Sequence, residues 1–96
     1  MKKLLNTLYI TSDNKYLSLD GENVVIKEEG AELGRMPLHN LEMIVTFSRA
    51  GASPALMGKC ADNNISIVFL TPSGSFLARV EGKTKGNVLL RKKQYE

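Results

Sequence analysis

The chain has 96 residues, of which 43% are hydrophobic, and a formal net charge of +3. A chain of this length buries about 60–70% of the surface that it exposes when unfolded, so we expect one compact domain. No apolar run approaches the roughly 20 residues that span a bilayer, and no signal-peptide core follows the first residues, which excludes a membrane protein and predicts a cytoplasmic one.

The first third of the sequence predicts short strands joined by tight turns. Apolar and polar residues alternate with a period close to two, and clusters of Asn, Asp, Ser and Gly separate the segments. Residues 20–23 (DGEN) have the composition of a hairpin turn. The expected strands are residues 4–11, residues 16–19, residues 24–27 and a segment between Gly30 and Gly34. We therefore expect a β-meander here.

The next segment predicts a βαβ unit with a hairpin attached. Residues 41–47 and 65–70 are short apolar runs that are typical of buried strands. They flank a helix predicted for Pro54–Asp62, and residues 71–74 (TPSG) have the composition of a tight turn before a returning strand at 75–80. Strands joined by a helical crossover in one sheet lie parallel to each other.

Local signals define both ends of this helix and its buried face. Ser53 supplies a capping oxygen, and Pro54 suits the first helical position. Asn63 and Asn64 tolerate the left-handed conformation that ends a helix. The residues expected to face the sheet are Leu56, Met57, Cys60 and Ala61, and those expected to face outward are Lys59 and Asp62. Cys60, the single cysteine, is therefore interpreted as a buried small hydrophobe rather than as a nucleophile or a metal ligand.

The positive charge is concentrated at the carboxyl end of the chain. Residues 1–82 hold eight basic and nine acidic side chains, whereas residues 83–96 hold five basic side chains and one acidic side chain. The residues from which we expect any affinity for phosphate are Lys83, Lys85, Arg91, Lys92 and Lys93. Alternatively, they form only a solvated linker and helix face, because no aromatic residue beyond Tyr95 is interleaved with them to stack on a base.

The sequence predicts no catalytic residue, metal site or cofactor in this chain. His39 lies directly before a predicted strand with no second histidine or cysteine pair, so we interpret it as a structural or surface residue. Glu28, Glu29 and Glu32 cluster around glycines, where carboxylates are normally solvated, and a divalent-cation site is the alternative. Residues 51–53 could hold an anion at the helix start, but capping explains the same residues.

Three segments together resemble the amino-terminal part of a known family. They are PLHNLEMIVTF, SPALMGKCADNNISIVFLTPSGSFLARV and GNVLLRKKQY, in this order along the chain. The chain resembles the CRISPR-associated adaptation endonuclease-integrase, the nuclease of spacer acquisition, in the form that accompanies type I-C systems. Residues 48–50 (SRA) depart from the glycine and the aromatic residue expected in this subgroup, which leaves the conformation of that loop open.

The resemblance implies two domains with separate roles. Residues 1–82 would form a β-rich dimerisation and scaffold domain, and residues 83–96 a linker and the first turns of a helical catalytic domain that is absent from this chain. The metal-binding glutamate, histidine and aspartate of the family would lie beyond Glu96, with Mg or Mn as the metal. The full-length protein would insert DNA fragments into the CRISPR array together with a small ferredoxin-like partner.

The expected fold class is a β-rich α+β domain, a small β-sandwich-like arrangement of short strands with one packed helix, followed by the start of a linker and helix. One interpretation is the scaffold domain of an integrase, inactive alone. The alternative is a free-standing binding module whose basic tail holds nucleic acid or another acidic partner. We also expect a homodimer, because one short helix cannot cover the outward faces that carry Leu17 and Leu19, or Val24 and Ile26.

Overall fold

The computed structural model describes residues 2–4, 6–82 and 90–92 of the chain. The elements in chain order are β1 (Lys2–Leu4), β2 (Thr7–Ile10), β3 (Tyr16–Asp20), β4 (Asn23–Glu28), β5 (Ala31–Pro37), a short 3-10 helix (Leu38–Asn40), β6 (Met43–Thr46), α1 (Pro54–Asp62), β7 (Ser66–Leu70), β8 (Phe76–Val80) and β9 (Leu90–Lys92). The strands form a six-stranded sheet in the order β1-β2-β6-β7-β8-β9 and a three-stranded sheet in the order β3-β4-β5. The predicted β-rich α+β class is confirmed.

The six-stranded sheet has three parallel strands next to each other. β6 pairs in parallel with both β2 and β7, and the remaining strands join by antiparallel pairing. β6, α1 and β7 thus form the predicted βαβ unit. β8 returns antiparallel to β7 through the turn at 71–74, where the amide of Gly74 donates to the carbonyl of Thr71 at 2.8 Å. These connections confirm the prediction for this segment.

The α-helix has the predicted bounds and caps. The Oγ of Ser53 accepts a hydrogen bond from the amide of Leu56 at 3.1 Å, and Asn64, just beyond the helix, takes a φ of 62°. On the inner face Leu56, Cys60 and Ala61 are buried and Met57 packs against the core, whereas Asp62 is exposed. The helix contacts β3 and β7. No helix in the described part of the chain is long and apolar enough to cross a membrane.

The prediction for the first strand is wrong in two respects. Residues 4–11 do not form a single strand, because the chain reverses near Asn6, which has a φ of 67°, and β1 and β2 pair as a hairpin. β2 then pairs with β6 rather than with β3, so the meander contains only β3, β4 and β5. Leu8 and Ile10 are buried. Two buried residues at a spacing of two are compatible with a strand in either sheet. Only the pairing with β6, which is distant in sequence, assigns β2 to the six-stranded sheet.

The hydrophobic core lies between the two sheets and α1. Its members include Leu8, Ile44 and Ile67 of the six-stranded sheet, Leu17, Val24 and Ile26 of the three-stranded sheet, and Leu56 of the helix. Leu17 and Val24 are 0% exposed and Ile26 is 5% exposed, while Leu19 also packs against the core. The expectation that these four residues face outward is therefore wrong. The six-stranded sheet covers them together with the helix.

The loop before α1 closes one edge of the three-stranded sheet. The amide of Leu17 donates to the carbonyl of Gly51 at 3.0 Å, and the amide of Ser53 donates to the carbonyl of Leu17 at 2.8 Å. Gly51 has a φ of 80°, a conformation that favours glycine. This loop runs beside β3 as a neighbouring strand would. The opposite edge of the sheet, formed by β5, has no neighbouring strand among the described residues.

Residues 90–92 form a strand at the far edge of the six-stranded sheet. β9 pairs antiparallel with β8, with Leu90 opposite Val80 and Lys92 opposite Ala78. The structure therefore has a strand at these three residues, where the sequence predicted the first turns of a helix. A strand satisfies the backbone of this short segment through β8, which a sequence pattern of three residues does not reveal. Residues 83–89 and 93–96 lie outside the described residues, and the domain boundary after residue 82 stays a prediction.

Candidate functional site

Ion pairs involve most of the basic side chains within residues 6–82. The pairs among residues 6–82 are Lys15 with Glu28 at 3.0 Å, Arg35 with Glu32 at 2.8 Å and with Asp20 at 3.0 Å, Arg49 with Asp13 at 3.6 Å, Lys59 with Glu22 at 2.8 Å and Arg79 with Glu81 at 2.6 Å. Such pairs at a surface contribute about 0–1 kcal/mol each to stability. Their larger consequence is electrostatic, because residues 6–82 present little unpaired positive charge to a nucleic-acid backbone.

Arg35 holds two carboxylates on the outer face of the three-stranded sheet. Its Nε and Nη2 donate to the two carboxylate oxygens of Glu32 at 2.8 and 2.9 Å, and its Nη1 donates to Asp20 Oδ2 at 3.0 Å. The hydrogen bonds from Arg35 lower the pKa of the Glu32 carboxyl. Glu32 and, to a smaller degree, Asp20 raise the pKa of the Arg35 guanidinium. The Glu32 carboxylate and the Arg35 guanidinium are therefore both charged at neutral pH.

The glutamates considered for a divalent-cation site do not converge on one point. Glu32 binds Arg35 and Glu28 binds Lys15, while Glu29 lies in the turn between β4 and β5 with a φ of 51°. Within residues 2–4, 6–82 and 90–92, no group of three His, Cys, Asp or Glu side chains could hold a metal ion. Mg or Mn therefore finds no ligand set among the side chains that the structure describes.

A hydrogen-bond network holds the loops that follow β2 and β6. Ser48 is 3% exposed, and its Oγ accepts hydrogen bonds from the amides of Lys15 at 2.8 Å and Ala50 at 3.2 Å. Asp13 Oδ1 accepts a hydrogen bond from the amide of Arg49 at 2.9 Å. Hydrogen bonds from backbone amides, that of Arg49 first, lower the pKa of the Asp13 carboxyl. Side-chain oxygens thus set the conformation of residues 48–50, which the sequence left open.

The remaining candidate residues occupy structural or surface positions. His39 is exposed in the short 3-10 helix. Cys60 is 0% exposed, and burial raises the pKa of its thiol to about 12, so the reactive thiolate does not form at neutral pH. In the loop at 51–53, the oxygen of Ser53 caps the helix and its amide donates to Leu17. That loop serves the fold, as the capping interpretation predicted.

The surface beside β5 combines an open strand edge with an apolar cavity. Leu33 is 55% exposed and borders a cavity of about 180 Å³. The lining residues are Ile10, Thr11, Ser12, Lys15, Ile26, Leu33 and Gly34. Sequence reasoning missed this surface, because it depends on how β5 pairs with β4. In the sequence, the only indication of this surface was the pair of opposite charges, Glu32 and Arg35, that flanks Leu33 and Gly34.

The chain matches a known protein family along most of its length. The model of the family described as CRISPR associated protein Cas1 covers residues 8–96. The chain belongs to the Cas1 family. A CRISPR-associated endonuclease Cas1 of Rhodospirillum rubrum is 51% identical over 96 residues, which is 100% of this chain, and one of Chlorobaculum tepidum is 47% identical over 95 residues, which is 99% of this chain. The chain spans only 28% of the length of each relative.

Solved Cas1 structures share the fold of this chain. The Cas6-RT-Cas1–Cas2 complex matches 85% of this chain and 9% of that chain with a TM-score of 0.74 at 13% identity. A CAS1 protein from Thermotoga maritima matches 86% of this chain and 25% of its own chain, with a TM-score of 0.69 at 14% identity. The TtCas1–DNA complex matches 88% of this chain and 32% of its own chain, with a TM-score of 0.65 at 16% identity. The resemblance to the amino-terminal part of the Cas1 family is therefore confirmed.

The basic residues expected to contact phosphate lie at the edge of what the structure describes. Lys83, Lys85 and Lys93 lie outside the described residues. Arg91 and Lys92 belong to β9 at one edge of the six-stranded sheet. The role of all five residues in this Cas1 domain stays a prediction.

Proposed function

We propose that this chain is the amino-terminal scaffold and dimerisation domain of a metal-dependent DNA endonuclease-integrase, which inserts new spacers into CRISPR arrays. The observation that carries this proposal is the match of the whole chain to 28% of the length of a protein named as a CRISPR-associated endonuclease. The described residues form a hydrophobic core of their own but no cluster of metal ligands. A domain with these properties suits a scaffold rather than a catalytic centre.

The chemistry belongs, in this proposal, to a helical domain that follows Glu96. Cutting and joining phosphodiester bonds with a divalent metal requires several ligands held around the ion. We assign that role to glutamate, histidine and aspartate side chains of the helical domain, with Mg or Mn as the metal. Residues 83–96 then lead from one domain to the other. The scaffold contributes by joining two protomers as a homodimer.

We infer that the full-length protein acts on DNA in the cytoplasm together with a small ferredoxin-like protein. The names of the Cas6-RT-Cas1–Cas2 complex and the TtCas1–DNA complex support partners of these kinds. The ion-paired surface of residues 6–82 offers phosphate little attraction. Contact between DNA and this chain is therefore assigned to the basic residues Lys83, Lys85, Arg91, Lys92 and Lys93.

A nuclease assay tests the separation of scaffold and chemistry. The isolated chain, incubated with a labelled DNA duplex and Mg or Mn, is expected to leave the DNA intact. The same assay on the protein extended through the helical domain is expected to show metal-dependent cutting. His39→Ala and Glu28→Ala serve as controls. Metal-dependent cutting by the isolated chain that disappears in either variant would contradict the proposal.

The gene sequence beyond the codon for Glu96 separates this proposal from the free-standing binding module. A reading frame that continues for roughly 200 residues into a helical domain is expected. A stop codon directly after Glu96 would favour the free-standing module.

A further inference from the structure

Gly82, two residues after the end of β8, lies where no side chain fits. A Cβ atom added to Gly82 would meet Oδ1 of Asn64, and would lie 2.8 Å from the Cα and 3.1 Å from the Cγ of that residue. Carbon atoms in favourable contact are about 3.5–4.0 Å apart. Because the backbone of Asn64 takes part in this contact, a rotation of its side chain alone does not make room. The chain passes beside Asn64 only with a glycine at position 82.

Asn64 is held in place because it closes the end of α1. It has a left-handed φ of 62°. Its amide donates to the carbonyl of Ala61 at 3.2 Å, and the next amide, that of Ile65, donates to the carbonyl of Cys60 at 2.7 Å. These two hydrogen bonds form a Schellman motif. Ile65 is 2% exposed and belongs to the core. A shift of Asn64 would therefore disrupt the end of the helix or withdraw Ile65 from the core.

The chain on the other side of this contact is also fixed. Val80 is 3% exposed and belongs to the core, and it pairs with Ile67 of β7. Gly82 itself is buried. Neither partner of the contact can move far without disturbing the core. A side chain at position 82 would therefore displace the chain that follows it.

β9 is the first described element that such a displacement would reach. It begins at Leu90 and pairs with β8 alone among the described strands, with Leu90 opposite Val80. A strand of three residues with one neighbour has few contacts of its own, so its stability depends on how the chain reaches it. β9 contains Arg91 and Lys92, to which the proposed function assigns contact with DNA.

We propose that Gly82 is a positioning residue for β9 and for the DNA contact assigned to it. The contact between Gly82 and Asn64 sets the direction in which the chain leaves β8, and so allows β9 to pair beside β8. The end of α1 thereby determines where Arg91 and Lys92 lie on the domain. The step from Gly82 to β9 stands on the structure alone, and the step from β9 to DNA rests on the proposed function.

Gly82→Ala tests the step from Gly82 to β9. Because the added Cβ displaces the chain before β9, hydrogen–deuterium exchange of the β9 amides is expected to be about tenfold faster than in the wild type, with no change in β4 and β7. Mass spectrometry of peptides that contain each strand measures the exchange. Gly58→Ala is the matched control, since a Cβ at Gly58 meets nothing within 4 Å. It should leave exchange in β9 unchanged. Unchanged exchange in Gly82→Ala would overturn the proposal.

A second substitution separates this contact from a general loss of stability. Asn64→Gly removes the side-chain atoms that the added Cβ would meet, and glycine suits the left-handed conformation at this position. Alone, Asn64→Gly should leave exchange in β9 near the wild-type rate. Combined with Gly82→Ala, it should restore most of the protection of β9. Effects of the two substitutions that simply add, or faster exchange of Gly82→Ala in every strand, would overturn the proposal.

DNA affinity tests the step from β9 to function. In the protein extended through the helical domain, Gly82→Ala is expected to bind a labelled DNA duplex about fivefold more weakly, and Gly58→Ala to bind like the wild type; fluorescence anisotropy measures both. The double substitution Arg91→Ala/Lys92→Ala serves as the reference. If this reference binds DNA more weakly but Gly82→Ala does not, the positioning role is overturned. If the reference itself binds like the wild type, the assignment of these residues in the proposed function fails instead.

Discussion

The two edges of the three-stranded sheet differ in what lies beside them. The edge formed by β3 is closed by residues 51–53 through backbone hydrogen bonds to Leu17. The edge formed by β5 has no neighbouring strand within the described part of the chain. Contacts at the closed edge join the sheet to α1 and so belong to the fold. Contacts at the open edge are available to a second chain. Substitutions near the first should change folding, and those near the second should change association.

The largest effect on stability is expected from the helix that follows the closed edge. Leu56 is 0% exposed and belongs to the core, so Leu56→Ala should lower the free energy of unfolding by about 2–4 kcal/mol. Lys59→Ala is the control on the same helix. It removes only a surface ion pair with Glu22 and should be nearly neutral. Chemical denaturation followed by circular dichroism measures both. Equal, small effects would mean that the helix does not dock against the sheets.

The next effect concerns the cap that links the closed edge to the helix. Ser53→Ala removes the oxygen that accepts from the Leu56 amide at 3.1 Å, and should lower the free energy of unfolding by about 1 kcal/mol. Ser12→Ala is the control, because it also removes one hydroxyl but at an exposed loop position. It should change the free energy of unfolding very little. Thermal or chemical unfolding of both variants and the wild type measures the difference in stability. A Ser53 variant as stable as the Ser12 variant would contradict the capping role.

The open edge should show a smaller effect on the stability of the monomer. Leu33 is 55% exposed, so Leu33→Ala should change the free energy of unfolding of the monomer by less than about 0.5 kcal/mol. The measurement is chemical denaturation at protein concentrations below the dissociation constant of the dimer. A loss comparable with that of Leu56→Ala would show that the β5 edge is part of the fold, and the distinction between the two edges would fail.

The smallest effect is a pH dependence in the loop network near the closed edge. Backbone hydrogen bonds lower the pKa of Asp13 from its ordinary value of 3.8. A carboxyl with a lowered pKa in the folded state stabilises the fold above its unfolded pKa, and this contribution is lost as the pH falls through the folded pKa. The difference in stability between the wild type and Asp13→Asn should therefore shrink on acidification below about pH 4.

Glu42→Gln is the control for this pH dependence, since it removes one exposed carboxylate outside the network. Urea denaturation between neutral and acidic pH measures all three proteins. An unchanged difference between the wild type and Asp13→Asn across this range would show that the hydrogen bonds to Asp13 do not stabilise the fold.

Elements that depend on local signals were predictable from the sequence. α1 has the predicted bounds because Ser53, Pro54 and Asn64 act on backbone groups within a few residues of themselves. The turn at 71–74 likewise depends on a proline and a glycine at fixed positions. The parallel pairing of β6 and β7 follows from the helical crossover between them.

Features that depend on distant strand pairing were not predictable. The alternation in β2 is the same whether it joins the meander or β6. In β3 and β4 the alternation showed that Leu17 and Val24 lie on a regular face, but not that a second sheet covers that face. Glu32 and Arg35 share a face because β5 has a β-bulge between Glu32 and Gly34, at a shift of register in its pairing with β4. The expectation of a homodimer therefore rested on buried residues, and the open edge was missed.

Sedimentation velocity of the chain, with and without residues 83–96 and at low and high salt, tests most directly whether this is a dimerising scaffold domain. A dimer built from strand surface does not need the basic tail, so it is expected under all four conditions and should weaken only modestly in salt. Association through the basic tail and a polyanion would instead depend strongly on salt. A dimer that disappears on truncation or in high salt, or a chain that is monomeric throughout, would contradict the proposed role.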